Sequence, residues 1–140
     1  MLIDFSHNNI IDEKRNWVYR DITFIPKFNR QTKQLEYLTD VDSVRNGMRL
    51  ILDWKLGERI LYPEFGNILY NYVGEIINDI TIKNIKQDIV NMFADDIRIK
   101  IQNIEVVVNK EDNHQLDIEI QYAIILLNIT DKLQYYIKLL

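Results

Sequence analysis

The chain has 140 residues, with hydrophobic residues at 47%, charged residues at 27% and a formal net charge of −4, which is the composition of one ordinary globular domain. An acidic chain lacks the sequence-independent attraction to phosphate that supplies most non-specific nucleic-acid affinity, so nucleic acid is not an expected partner. The absence of cysteine excludes disulfides, thiol nucleophiles and thiolate metal sites together.

A domain of this length buries roughly 68–70% of its extended-chain surface, enough for a core without metal or cross-links. No apolar stretch reaches the ~20 residues a membrane-spanning helix needs, so no membrane insertion is expected. Residues 1–16 are polar and aperiodic, with no basic run leading into an apolar core. They read as an N-terminal polar extension and not as a signal peptide. The domain proper is expected over 17–140, in a soluble, intracellular setting.

The run from Trp17 to Ile25 is aromatic and β-branched, a strand signal. After the polar link 29–33 comes a second short run, Leu35 to Leu38, so the pair predicts a hairpin. Asp40 to Trp54 reads as a helix: Asp42 or Ser43 offers an N-cap, and Val44, Met48, Ile51 and Leu52 form one apolar stripe. Gly57 is placed to end it. Residues 56–67, Leu-Gly-Glu-Arg-Ile-Leu-Tyr-Pro-Glu-Phe-Gly-Asn, mix charge and aromatic residues with neither helical nor strand period. They hold two of the four glycines and one of the two prolines, so a structured loop is expected. A short helix over 68–73 follows.

Thr81 reads as the cap of a further helix whose apolar face is Ile82, Ile85, Ile89, Met92 and Phe93. From Ile97 the pattern turns to alternation, with a change of phase near Gln102-Asn103 that suits a β-bulge. Residues 109–114 are an all-polar turn. Leu116, Ile118, Ile120, Tyr122, Ile124 and Leu126 alternate cleanly with polar residues, the mark of a half-solvated antiparallel strand. Residues 132–140 read as a last strand, although Leu133, Tyr136, Ile137 and Leu140 also fit a helix. The expected architecture is α+β, an antiparallel sheet with helices packed on one face, in a single domain.

The chemical inventory is thin. No phosphate-cradling glycine motif is present. His7 and His114 lie in polar segments away from any metal-ligand spacing or nucleophile, and read as solvated surface side chains. No cofactor and no metal is expected. Asp95-Asp96 closes a helix, where the macrodipole disfavours acids, so the pair is expected to answer to Arg98 or to a basic partner group. Glu58 and Glu64, six positions apart, are the one pair that permits glycoside hydrolysis. Each also has a structural reading, in an ion pair such as Glu58 with Arg59 or as a hydrogen-bond acceptor within the loop. Exposed aromatics beside Arg in a loop have the composition of interface anchors.

The segment Gly57-Glu58-Arg59-Ile60-Leu61-Tyr62-Pro63-Glu64-Phe65-Gly66-Asn67 resembles the signature of the small, lysozyme-like wedge proteins of contractile phage tails, tailocins and type VI secretion baseplates. Asp21-Ile22-Thr23-Phe24 matches the family's D-I-x-F strand, and Asp96-Ile97-Arg98 holds the place of its Glu-Pro-Arg, without the proline. The resemblance covers residues 17–140. It implies a non-catalytic structural protein of the virion tail baseplate, assembled in the bacterial host cytoplasm, six to a closed ring around the tail tube and hub. It further implies clamping to large wedge proteins through a helical core bundle, and initiation of the sheath by strand exchange with a tail sheath subunit. Residues 115–127 and 132–140 are the strands expected to take part. Glu58, Arg59, Pro63, Glu64, Phe65, Gly66, Asp96 and Arg98 are the expected protein-interface residues. The alternative function is a peptidoglycan-cleaving muramidase using Glu58 and Glu64, against which the lack of substrate-cleft signals argues.

Overall fold

A computed structural model describes residues 16–23 and 25–140. The expectations for His7, for the polar extension up to Arg15 and for Phe24 fall outside the described residues. The strand expected over 17–25 is shorter, β1 (Arg20–Ile22), and pairs antiparallel with β4 (Tyr37–Thr39). Between them β2 (Phe28–Asn29) and β3 (Gln34–Leu35) form a nested ribbon, so the predicted hairpin is present. It forms two small sheets of its own beside the main one.

Helix α1 (Asp40–Asp53) buries Val44, Met48 and Leu52, at most 1% exposed, along one face. Its cap differs from the expectation. Thr39 holds the N-cap position without a side-chain cap bond, and Asp42 instead reaches Arg45 at 3.5 Å. Asp40, at a φ of 50°, turns its carboxylate back to the hairpin, where it accepts from Val18 N–H at 2.7 Å and Tyr19 N–H at 3.1 Å. The acid therefore fastens helix to hairpin.

After the loop, a 3-10 helix (Ile68–Tyr72) and α2 (Asp79–Phe93) follow. The cap of α2 is Asn78, not Thr81: Asn78 accepts from Thr81 N–H at 2.9 Å, while the Thr81 hydroxyl donates to the Ile76 carbonyl. Helix N-caps favour Asn strongly, and the helix begins one turn earlier than its apolar stripe suggests.

Three ten-residue strands, β5 (Ile99–Val108), β6 (Gln115–Ile124) and β7 (Ile129–Lys138), form an antiparallel sheet in the order β5-β6-β7. The register of β5 on β6 shifts between Ile101 and Asn103, where the phase change predicts a bulge. The last segment is a strand. Leu116, Ile118, Ile120, Tyr122 and Ile124 are buried, at 2% exposure or less, in one cluster with Ile85, Ile89 and Phe93 of α2 and the apolar face of α1. Both helices thus cover one face of the sheet, and the fold is α+β. At about 1.5–3 kcal/mol for each fully buried large aliphatic or aromatic side chain, this layer dominates folding. Strand β6 is central and paired on both sides over Gln115–Ile124, contrary to the expectation of an edge within 115–127; among the described residues the unpaired edges belong to β5 and β7.

Candidate functional site

The segment after α1 is held by its own main chain. Gly57 N–H donates to the Pro63 carbonyl (3.0 Å), Tyr62 N–H to the Arg59 carbonyl (3.2 Å) and Phe65 N–H to the Tyr62 carbonyl (3.0 Å). Asn67 N–H closes the loop on the Trp54 carbonyl at 2.6 Å, with Leu56 N–H returning to the Asn67 carbonyl at 3.3 Å. Gly66 makes this closure possible: at a φ of 136°, a Cβ there would stand 2.8 Å from the Trp54 oxygen and 2.9 Å from the Leu56 nitrogen. Only a residue without a side chain fits.

Asn67, fully buried, completes the lock. Its Nδ2 donates to the Leu52 carbonyl (2.9 Å) and to the Tyr135 hydroxyl (3.1 Å), and its Oδ1 accepts from Leu69 N–H (2.8 Å). One side chain therefore ties together the end of α1, strand β7 and the start of the 3-10 helix. Asn67 is absent from the residues expected to act. Its signal was nonetheless readable, since an Asn directly before an apolar run is a helix-cap pattern.

The loop residues divide into two groups. Arg59 lays its guanidinium over Phe65 at 4.7 Å and Tyr62 at 5.4 Å, a cation–π arrangement that fixes an exposed cation. Of the two roles open to Glu58, an ion pair with Arg59 or a backbone acceptor within the loop, the structure shows the acceptor: Glu58 Oε2 accepts from Lys55 N–H at 3.3 Å. Pro63 and Glu64 are exposed and Phe65 is half-buried. At the tip, Ile60 is 95% and Leu61 83% exposed. Two adjacent aliphatic side chains on a hydrogen-bonded loop, with almost no cover, are the kind of contact that a partner surface removes from water.

Beside the loop lies a cleft of about 880 Å³. Arg59, Glu64, Phe65 and Gly66 form one wall; Met92, Asp95 and Asp96 from the end of α2 form the other. Glu64 lines this cleft and Glu58 does not. The cleft is apolar at its floor, with Ile51 and Ile68, and acidic on the α2 side, where Asp88 also lines it.

Asp96 and Arg98 are brought onto each other. Arg98 Nε donates to Asp96 Oδ1 (2.9 Å), Nη2 to Oδ2 (2.7 Å), and the Arg98 backbone N–H to Oδ1 (3.0 Å). Burial alone would raise the Asp96 carboxyl, but the Arg98 fork and N–H outweigh it and hold the acid below its ordinary range. Charge-assisted bidentate bonds of this type are the strong ones. The guanidinium fits because α1 has Gly47 opposite it; a Cβ there would be 2.8 Å from Nη2. The Asp-Ile-Arg segment thus serves as an internal clasp between the end of α2, the start of β5 and α1, with Asp96 at the rim of the cleft.

A second clasp was not anticipated. Arg45 of α1 forks onto Asp131 of β7 at 2.8–3.0 Å, and the buried Tyr122 hydroxyl donates to the same carboxylate at 2.5 Å. Burial pushes the Tyr122 hydroxyl up, and the neighbouring acid adds to it. Residues 86 positions apart cannot be paired from one sequence. Among the described residues no group of three or more His, Asp or Glu side chains is set to hold a metal ion, and His114 is exposed in its turn.

No family model and no curated protein matches the chain. Solved structures do. The fold is similar to that of a Geobacter sulfurreducens protein described as a candidate tail lysozyme, with a TM-score of 0.66, 24% identity, and coverage of 74% of this chain and 95% of that one. It is also similar to a chain of the six-fold-symmetrised baseplate of the anti-feeding prophage, with a TM-score of 0.69, 21% identity, and coverage of 74% and 83%. At these identities the likeness is one of fold.

Proposed function

We propose that this chain is a non-catalytic structural subunit of the baseplate of a contractile tail or injection machine. It docks a larger wedge-type subunit on the loop and cleft, and offers an edge of its three-stranded sheet to a subunit of the first sheath ring. The single observation that argues against a muramidase built on Glu58 and Glu64 is the division of the two glutamates. Glu58 is engaged by the loop's own Lys55 N–H and stands outside the cleft that Glu64 lines. A glycosidase needs both carboxylates facing one substrate across the scissile bond. What the loop does present is a rigid, apolar tip, Ile60 and Leu61, next to a stacked arginine, the composition of a protein interface.

The fold shared with a chain of the anti-feeding prophage baseplate and the Gly57–Asn67 motif support the assembly role. In this reading Arg59, Phe65 and the aliphatic tip contact the partner. Glu64 borders that contact, while Pro63 and Gly66 set the loop's shape. Asp96 and Arg98 hold the cleft's far wall. Six copies would surround the tail tube, in a particle assembled in the host cytoplasm.

The other reading is a muramidase, favoured by the likeness to the Geobacter protein. A peptidoglycan-cleavage assay on the purified chain, with Glu58→Gln and Glu64→Gln alongside, separates the two. The expected result is no turnover by any of the three; turnover lost in both variants would establish the enzyme.

A further inference from the structure

The ribbon formed by β2 and β3 departs in charge from the rest of the chain. Residues 25–37 hold Lys27, Arg30 and Lys33 against one acid, Glu36, a formal charge of +2 on a chain whose total is −4. All three cations are exposed, and among the described residues none of them stands in an ion pair. The turn that carries them is held by its own chain. Asn29 Oδ1 accepts from Gln31 N–H at 2.9 Å and from Thr32 N–H at 3.1 Å, and Lys33 closes the turn at a φ of 55°. Phe28 and Leu35 stand opposite each other in register, 59% and 41% exposed. The ribbon therefore presents a fixed basic tip beside an uncovered apolar pair.

The face of the three-stranded sheet that the helices leave open has the complementary character. Glu105 of β5 stands directly opposite Glu119 of β6, and like charges so placed destabilise a sheet. Asp117 follows two positions along β6, between Val107 of β5 and Tyr136 of β7. Lys132 meets Glu119 at 2.6 Å. Asp117 is bonded only by neutral amides, of Asn109 and Gln115, each at 2.7 Å, and Glu105 meets the Asn103 amide at 3.4 Å. The three acids less Lys132 leave a formal charge of −2. Of the remaining cations, Lys138 is taken by Asp112 at 3.1 Å, and Lys100 lies beyond the bulge, opposite Ala123. Glu105, Val107, Asp117, Glu119, Gln134 and Tyr136 line a shallow hollow of about 410 Å³, where Val107 is 57% and Tyr136 62% exposed.

We propose that the β2–β3 ribbon of one copy docks on the open sheet face of a second copy. Phe28 and Leu35 pack against Val107 and Tyr136, and Lys27, Arg30 and Lys33 answer Glu105, Asp117 and Glu119. The occupant is a second copy because both halves lie on one chain: +2 faces −2, an apolar pair faces an apolar pair, and neither half is satisfied at home. The contact joins two different patches, so copies run head to tail, closing into a ring or continuing as a filament. A ribbon of this size offers a small contact, in the weak class below about 1,200 Å². It uses neither the docking loop nor an edge of the sheet, and stands apart from the proposed function.

Sedimentation velocity on the purified full-length chain tests it, over a series from about 1 μM to about 1 mM at low salt. The sedimentation coefficient is expected to rise with concentration. Sodium chloride at about 1 M, which shortens the screening length to ~3 Å, is expected to abolish the rise. Arg30→Glu with Lys33→Glu on the ribbon, or Glu105→Lys with Glu119→Lys on the face, sets like charges against each other. Each pair is expected to weaken association by about tenfold or more. Mixing the two variants restores opposite charges across the contact and is expected to recover the association. Lys83→Glu with Lys86→Glu on α2 changes the net charge as the ribbon variant does and is expected to leave association at the parent level. Should the doubly substituted face fail to fold, Glu105→Lys alone serves, with a smaller loss. A monomer at every concentration would overturn the proposal. So would association untouched by either reversal, a mixture that stays monomeric, equal weakening by the α2 pair, or a loss on the ribbon side alone, which would set the ribbon against some other surface. Capture of a larger partner through the loop is independent of each of these results.

Discussion

Replacing Gly66 with alanine tests the loop closure that positions the whole candidate interface. A Cβ at this position meets three backbone atoms, the Trp54 oxygen at 2.8 Å, the Leu56 nitrogen at 2.9 Å and the Lys55 carbonyl carbon at 2.9 Å. None of these is the end of a flexible side chain that can swing away. The backbone term alone, a non-glycine residue held at a φ of 136°, costs about 1–3 kcal/mol. Relieving the overlap means separating residues 54–56 from 66–67, which lengthens the 2.6 Å bond from Asn67 to Trp54 at a cost of about 0.5–1.5 kcal/mol. The sum, about 1.5–4.5 kcal/mol, is a large part of the about 5–15 kcal/mol that stabilises a typical domain. Gly57 supplies the control: its φ is 87°, yet nothing stands within 4 Å of its Cβ position, so Gly57→Ala carries the backbone term without the collision. Urea unfolding of both variants reads the difference, with Gly66→Ala expected to lose more by about 0.5–1.5 kcal/mol. Equal losses for the two would refute the closure argument.

Asn67→Ala removes the bonds to Leu52, Tyr135 and Leu69 from a fully buried site, and is expected to cost about 2–4 kcal/mol by the same urea measurement. Arg59→Ala is expected to change stability by no more than about 1 kcal/mol, since it loses only an exposed stacking contact, yet to weaken retention of the wedge-type partner in a pull-down by about tenfold. Asp131 is one of the carboxylates, with Asp96, that contribute acid-sensitive stability. Its burial favours the neutral form, but the Tyr122 hydroxyl, the Arg45 fork and the Lys132 N–H outweigh it, leaving its carboxyl below the ordinary value of 3.8. A depressed folded pKa means that the unfolded chain binds more protons as the pH drops, so this stabilisation is complete above about pH 4 and is lost below it. Urea midpoints measured between about pH 5 and pH 2 should therefore fall less steeply for Asp131→Asn than for the parent chain; parallel slopes would remove Asp131 from that role.

Periodicity carried most of the fold. Strands β5 to β7 were legible because a core-facing strand repeats every second residue, and even the bulge showed as a break of phase at Gln102-Asn103. The helix starts were less legible. Asp40, Asp42, Ser43 and Thr81 all have cap chemistry; a tertiary contact decides that Asp40 serves the hairpin, while the cap of α2 is the local one of Asn78 on Thr81 N–H. The place of β6 at the centre of the sheet was hidden as well, since its alternation would look the same at an edge. Within the site, the loop and its outlying clasp were found by their residues. The Asp96–Arg98 pairing was among the outcomes their residues allowed, but the Gly66 closure, the Asn67 lock and the Arg98–Gly47 approach were not, because they depend on distances no linear pattern encodes. The Arg45–Asp131–Tyr122 clasp left no local signal at all.

Occupation of the loop and cleft by another protein, and not by a substrate, is open to a direct test. Affinity capture of the tagged chain from the cells that naturally encode it measures this directly, with Arg59→Ala and a Leu61→Asp variant as controls. The expected result is recovery of a larger protein in stoichiometric amount, lost in both variants while their folding is unchanged. Recovery of the chain alone, or of the same partner undiminished by both substitutions, would contradict it.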